Sequence, residues 1–372
     1  MRASGAPPYD GRRMETETDT AGTSPTAKLT QIDRRLLGEL QADVPLSVAP
    51  FSELGQRLGI GEAEVVERVV ALRDAGILRH VTPIFDAEAL GYASCLVAAR
   101  IPEERLAAAA EIVNAHPGVS HNYRRNHAFN LWYTIAVPPS LDLAAHVEAL
   151  RRLTGAESMR MLPAVRRFKI GVSLDVTGER DMFERSEPRH TGGLADGASR
   201  PALTQLDIDV IRAVQGDLPL TAHPFADAAR ALGMSEEAVV DVLRSLRERG
   251  CLRRLAGILR HRRAGFSANG MAAWRVPEVD AVRIGEAMAT YTAISHCYQR
   301  TTYDDWPYSL FTMIHASSVA ECDAFVAQLA RTHGLDNYAI LYSTTEYKKV
   351  RPIYFSPQVE AWDRRYREAA TR

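Results

Sequence analysis

Residues 120 to 127 read Ser-His-Asn-Tyr-Arg-Arg-Asn-His and run into the apolar stretch Phe129 to Val137. In an extended chain side chains alternate between faces, so His121, Tyr123, Arg125 and His127 project to one side. Two imidazoles, a phenol and a guanidinium in one row donate protons near neutral pH and bind anions. Arg124 adds a second guanidinium beside them. The row recurs at 295 to 300 as Ser-His-Cys-Tyr-Gln-Arg, where His296, Tyr298 and Arg300 again share a face. Two exposed edge strands with polar faces would account for either copy alone. The same face in both halves of the chain favours a site.

Other basic groups are weaker candidates. Arg79-His80 and Arg253-Arg254 occupy matched places after two helical stretches, and Arg79 and Arg254 are the members assigned to gripping an anion. Arg260-His261-Arg262-Arg263 is a short cluster, of a kind more often solvated than functional. Trp132, Trp274 and Phe311 read as core or pocket wall, and His116, before Pro117-Gly118, as turn surface.

Composition limits what these residues can belong to. With 372 residues, 46% apolar and 24% charged, the chain supports several ordinary globular domains. No apolar run approaches the roughly 20 residues needed to span a bilayer, and the N-terminus has no secretory core segment, so a cytoplasmic location is expected. Cys95, Cys251, Cys297 and Cys322 lack paired C-x-x-C spacing, which speaks against a disulfide framework or a structural zinc site. Lys and Arg, 45 together, nearly balance 46 Asp and Glu, so there is no global attraction to nucleic acid.

The elements that must position the rows follow in order. Residues 1–28 form a leader too poor in large apolar groups to fold. Over 29–86, Thr30 caps a helix with Ile32, Leu36, Leu37 and Leu40 on one face; a second helix covers Phe51 to Leu58, and a third runs from Gly61 to Gly76. Three such helices followed by an alternating segment from Gly76 make a winged helix-turn-helix candidate. Over 87–174 the pattern is strand (Ala93 to Ile101), helix (Glu103 to Ala115), strand (119 to 127), strand (129 to 137), helix (Leu141 to Leu153), strand (Met159 to Val172). That βαββαβ order is ferredoxin-like and leaves one face of an antiparallel sheet free for a ligand. Residues 175–202 read as a linker, and then the unit returns at 203–260 and 261–357, ahead of a tail at 358–372. Leu203-Thr-Gln-Leu-Asp repeats Leu29-Thr-Gln-Ile-Asp, and Ile294-Ser-His-Cys-Tyr repeats Val119-Ser-His-Asn-Tyr. The fold expected is thus α+β, a tandem winged helix-turn-helix plus ferredoxin-like repeat, packed about a pseudo-two-fold axis like a dimer fused into one chain and compatible with further homo-oligomerisation.

The alternation of these domains resembles the leucine-responsive regulator (Lrp/AsnC-like) family. The stretches Ser-His-Asn-Tyr-Arg-Arg-Asn-His-Ala-Phe-Asn-Leu-Trp and Ser-His-Cys-Tyr-Gln-Arg with Asp-Trp-Pro-Tyr-Ser-Leu-Phe-Thr-Met-Ile-His are similar to the paired subunits of sirohaem decarboxylases, over about residues 29 to 174 and 203 to 355. The resemblance implies a lyase that removes two acetate carboxyl groups of sirohaem to give 12,18-didecarboxysirohaem, on the route to haem or haem d1. It implies an iron tetrapyrrole as partner and no cofactor of the protein's own, the iron belonging to the substrate.

The residues suit that chemistry independently. Arginine grips carboxylates in two parallel hydrogen bonds and stays charged when desolvated. Loss of carbon dioxide leaves a carbon that must be protonated, which histidine can do. His121 and His127 are the catalytic candidates, either as proton donors or as ligands of the substrate iron. Tyr123, Arg124, Arg125, His296, Tyr298, Arg300, Arg79 and Arg254 are assigned to substrate binding. A DNA-binding regulator is the first alternative, but the third helix of each unit opens on carboxylates, Glu62 and Glu64 or Glu236 and Glu237, which repel phosphate. A tetrapyrrole carrier without catalysis is the second. The N-terminal half is expected to hold the main site, because it has two histidines in its row and the other half inserts Asp304 and Asp305. His121 and His127 would then lie about 20 Å apart along an ideal strand.

Overall fold

The computed structural model describes residues 29–170, 182–186, 200–259 and 268–367. The expected leader, most of the linker and the Arg260–Arg263 cluster lie outside them. The first half begins with α1 (Gln31–Ala42), α2 (Pro50–Leu58) and α3 (Glu62–Asp74), then β1 (Leu78–Phe85). Thr30 starts α1 because its hydroxyl accepts from the Asp33 amide while the Asp33 carboxylate accepts from the Thr30 amide, a reciprocal capping box. Next come β2 (Ala93–Arg100), α4 (Leu106–Asn114), β3 (Val119–Arg125), β4 (Leu131–Val137), α5 (Leu143–Thr154), β5 (Ser158–Leu162) and β6 (Ala164–Ile170).

Two of these boundaries depart from the sequence pattern. β3 stops at Arg125, where the Arg125 amide bonds to the Asn130 carbonyl and the His127 amide turns back to the Arg125 carbonyl. His127 is therefore off the strand. The expected last strand is two, because Pro163 has no N–H for the ladder, and β5 and β6 go to different neighbours.

The second half repeats the plan with α6 (Gln205–Val214), α7 (Ala226–Leu232), α8 (Glu236–Glu248), β7 (Leu252–Leu259), β8 (Ala268–Trp274), α9 (Glu278–Ala289), β9 (Ile294–Arg300), β10 (Leu310–Ala316), α10 (Val319–His333) and β11 (Tyr338–Lys349). The expected tail contains a further helix, α11 (Gln358–Arg367), whose Val359 and Trp362 join the helix-side core of the first half. There Trp362 covers His116. Far from being turn surface, His116 is fully buried, with its Nε2 2.9 Å from His146 Nδ1.

The halves are joined at two levels. β1 and β7 pair antiparallel as a two-stranded ribbon, and one core runs through both helical units, from Leu36 and Val69 to Ile211 and Leu243. Below it lies a sheet of order β5-β2-β4-β3-β11-β8-β10-β9-β6. β11 is the link: Tyr338 to Tyr342 pair with β8, while Ser343 to Lys349 pair with β3. β6 does the same for β9. Each half thus covers the bare sheet edge of the other, which satisfies backbone groups that would otherwise be open. Since β5 and β6 adjoin through Pro163, the sheet closes on itself. The helices cover its outer face, and inside it Trp132, Phe129, Trp306, Phe311, Leu162 and Leu341 from both halves form one cluster. The inner face is thus partly filled, not simply free.

The helical units offer DNA little. Arg68 of α3 is tied to Asp33 at 2.9 Å and to Glu64 at 2.8 Å, and Arg244 of α8 reaches the Leu46 carbonyl. With Glu62, Glu64, Glu236 and Glu237 in the first turns, saturable operator binding at submicromolar protein is not expected in a gel-shift or anisotropy titration across salt.

Candidate active site

The two rows are built alike. On β3 the His121 and Tyr123 rings lie 6.1 Å apart, the Arg125 guanidinium sits 5.6 Å from the Tyr123 ring, and its Nη1 donates to the Leu341 carbonyl at 2.7 Å. On β9 the His296 and Tyr298 rings are 6.0 Å apart, Arg300 sits 4.7 Å from Tyr298, and its Nη1 donates to the Leu162 carbonyl at 2.6 Å. Each histidine is held at Nδ1 by the serine before it: Ser120 Oγ at 2.9 Å from His121 and Ser295 Oγ at 3.0 Å from His296. The alternation read from sequence puts these side chains together because the same pleat aims them inward.

The two rows lie within electrostatic reach of each other. Burial pushes the His296 pKa down to about 3, and His315, Arg300, Arg253 and His121 lower it further, so His121 of the other half is within electrostatic reach. Burial also brings His121 to about 4, with Lys349 and Arg79 adding to it, and His315 to about 4, with Lys349 adding to it. These imidazoles keep some accessible surface yet behave as buried groups. Side chains lining an interior space surrounded by protein combine both properties.

Some assigned residues lie elsewhere. Arg79 belongs, its Nη2 donating to the Lys349 carbonyl at 2.9 Å. Its counterpart is not Arg254, which turns away to the Ala42 carbonyl, but Arg253, which lowers His296 and bonds Asp86 at 2.5 Å. Successive residues on β7 point to opposite faces, so only one of the two arginines can enter. For the same reason Arg124 points out of the row and pairs with Glu103 at 2.7 Å. His127, beyond the end of β3, has its own surroundings: the Phe129 amide donates to its Nδ1, and the Trp306 ring is 5.3 Å away. Burial, then Arg100, lowers its pKa. Asp305 is held by Arg160 at 2.9 and 3.0 Å, so the inserted loop does not confront an anion with two bare carboxylates. What it contributes is Trp306, fully buried between the halves.

Two members of the cluster, His315 and Lys349, have no role in the sequence reading, and Arg253 is named there only beside Arg254, which is preferred to it. His315 is two and four residues from Met313 and Phe311, both packed on the inner face, so its spacing carried the signal. Lys349 lies opposite His121 only because β11 crosses to the other half.

Arg253 is paired with Asp86 and Lys349 lies 3.9 Å from Glu346, whereas Arg125 and Arg300 make no ion pair with a carboxylate among the described residues. Burial pushes Arg125 down to about 10, and Nε of Arg125 and Nε of Arg300 have no hydrogen-bond partner among the described residues. Buried guanidiniums without carboxylates are costly unless an anion arrives, and neutral imidazoles beside them avoid adding charge. The cost appears in acid. His121, His296 and His315 have folded pKa values of about 4, 3 and 4 against 6.5 unperturbed. The unfolded chain takes up these protons first, so stability is full above pH 6.5 and lost as pH falls from there toward 4. Each histidine costs about 1 kcal/mol per unit below pH 6.5 after allowing for water access. The melting temperature should drop several degrees between pH 7.5 and 5.5; a flat profile at constant ionic strength would refute the neutral cluster.

Comparison with known proteins places this arrangement. A siroheme decarboxylase NirDL-like HTH domain model matches residues 33–79 and 207–253, and an AsnC-like ligand binding domain model matches 89–169 and 263–348. The siroheme decarboxylase of Hydrogenobacter thermophilus is 40% identical over 331 residues, covering 88% of this chain and 96% of that protein. The siroheme decarboxylase NirDL subunit of Paracoccus denitrificans is 37% identical over 320 residues, covering 84% and 94%. The crystal structure of the siroheme decarboxylase NirDL matches with a TM-score of 0.73 at 35% identity over 92% of this chain and all of that one. The same enzyme in co-complex with an iron-uroporphyrin III analogue also matches with a TM-score of 0.73. With both domain types matched in both halves, and relatives aligned nearly end to end, the chain belongs to the siroheme decarboxylase family in its fused NirDL form.

Proposed function

We propose that this chain is a carboxy-lyase that removes the carboxyl groups of two acetate side chains of sirohaem, at the single cluster formed by both halves. The observation that carries this reading is the convergence of two His-Tyr-Arg rows whose buried arginines lack carboxylate partners among the described residues. Arg125, Arg300, Arg79 and Arg253 bind and orient the carboxylates of the macrocycle, each bond being charge-assisted. Tyr123 and Tyr298 stack against the guanidiniums and hold them in place. Enclosure by the closed sheet excludes water, which strengthens these contacts and protects the developing carbanion. Proton delivery to the reacting side chains falls to His121 and His296. His127, beside Trp306, has the position of a wall residue. Iron enters with the substrate, and no cofactor of the protein is required in this scheme.

Anaerobic incubation with sirohaem followed by mass analysis tests the proposal. Loss of two carbon dioxide molecules per substrate is expected; tight binding with unchanged mass would instead mark a tetrapyrrole carrier.

A further inference from the structure

The two rows differ in what stands behind their histidines. His315 Nε2 lies 2.9 Å from Ser295 Oγ, and Ser295 Oγ lies 3.0 Å from His296 Nδ1, a chain of imidazole, hydroxyl and imidazole. In the first half Ser120 holds His121 in the same way, but Ala136 occupies the strand position of His315, so the chain ends there. Opposite the histidines the difference runs the other way. Lys349 faces His121 on β11, whereas Ile170 faces His296 on β6. One row has Lys349 paired across the ladder from its histidine, and the other has a relay behind its own.

We propose that His315 acts through the Ser295 hydroxyl to pass a proton to Nδ1 of His296 as Nε2 of His296 protonates the substrate carbon, so that the second half is the proton-delivering arm. The inference rests on the decarboxylase reading. The step balances. The C–C bond breaks with release of carbon dioxide, and its electron pair takes the Nε2 proton of His296. Nδ1 takes the Ser295 proton, and Ser295 takes that of His315. Once the product leaves, one solvent proton enters at Nε2 of His296 while the Nδ1 proton passes back through Ser295 to Nε2 of His315, which restores all three groups.

The surroundings explain why a relay is needed. Burial first, and then His315 on β10, Arg300 on β9, Arg253 on β7 and His121 on β3, disfavour an imidazolium at His296. A ring that takes a proton at one nitrogen while losing one from the other never carries the full extra charge. His315 is faced by Lys349 of β11, and it charges once substrate carboxylates offset the cations of the cluster. In this scheme His315 is a positioning residue that acts through His296.

His315→Gln tests the relay, since glutamine can still bond Ser295 but cannot transfer a proton. Single-turnover decarboxylation is expected to fall about 10- to 100-fold, with affinity for iron-uroporphyrin within twofold. Ser295→Ala should show the same defect, and the double variant no more. In His315→Ala, added imidazoles should restore the rate in an order that follows their pKa. A glutamine variant at the wild-type rate overturns the relay, as do additive defects of the serine and histidine changes. Wild-type protein that leaves sirohaem intact overturns the decarboxylase reading itself, which distinguishes the two failures.

Discussion

Alanine at both Arg125 and Arg300 is expected to weaken tetrapyrrole binding by about two to four decades. Arg125 is buried and Arg300 partly buried, and each donates through Nη1 to one carbonyl and keeps a buried Nε unmatched among the described residues. A charge-assisted contact of this kind contributes about 1.5 to 3 kcal/mol, so each single variant should lose roughly one to two decades. The symmetry of the rows predicts losses of similar size for the two. Removing either charge also relieves an uncompensated buried cation, so the empty protein should hold or gain thermal stability while the complex loses it. Titration with iron-uroporphyrin, followed by melting of empty and loaded protein, separates these effects. Affinity unchanged in both single variants, with intact melting, would exclude these arginines as the carboxylate grip.

The largest kinetic effect is expected at His296. Replacing it with alanine should slow turnover by about 10² to 10⁴ with the tetrapyrrole still bound, the usual contribution of a positioned acid. His121→Ala should instead leave a slower enzyme that still releases carbon dioxide, because His121 has Lys349 rather than a relay beside it. This reverses the ranking expected from sequence, where two histidines in the first row outweighed one in the second. The physical reason is the end of β3 at Arg125, which takes His127 out of the row, and the arrival of His315 from β10 behind His296. A His296 variant that keeps full turnover while the His121 variant is dead would restore the first ranking.

Much of this was legible in sequence because it depends on local periodicity. Thr30 and Thr204 with their Asp partners set the helix starts, and the alternation on β3 and β9 correctly aligned His121 with Tyr123 and Arg125, and His296 with Tyr298 and Arg300. The repeat of Ser-His-x-Tyr implied two matched halves, and the resemblance to sirohaem decarboxylases agrees with the family found. The same rule of alternation, applied strictly, would have excluded Arg124 and Arg254, whose chain neighbours hold the inward positions.

Other features no local pattern contains. Period two says which residues share a face, but not which strand lies opposite, since hydrogen bonding between strands does not read sequence distance. Thus the crossing of β11 to β3 and of β6 to β9 set Lys349 beside His121 and Ile170 beside His296. The burial of His116 under Trp362 likewise came from packing of α11, a helix more than 200 residues away along the chain. Sequence by itself determined the two units, their elements and the composition of each row. Tertiary structure decided which groups stand near each row, because only the exchange of strands between halves brings groups so distant in the chain within electrostatic reach.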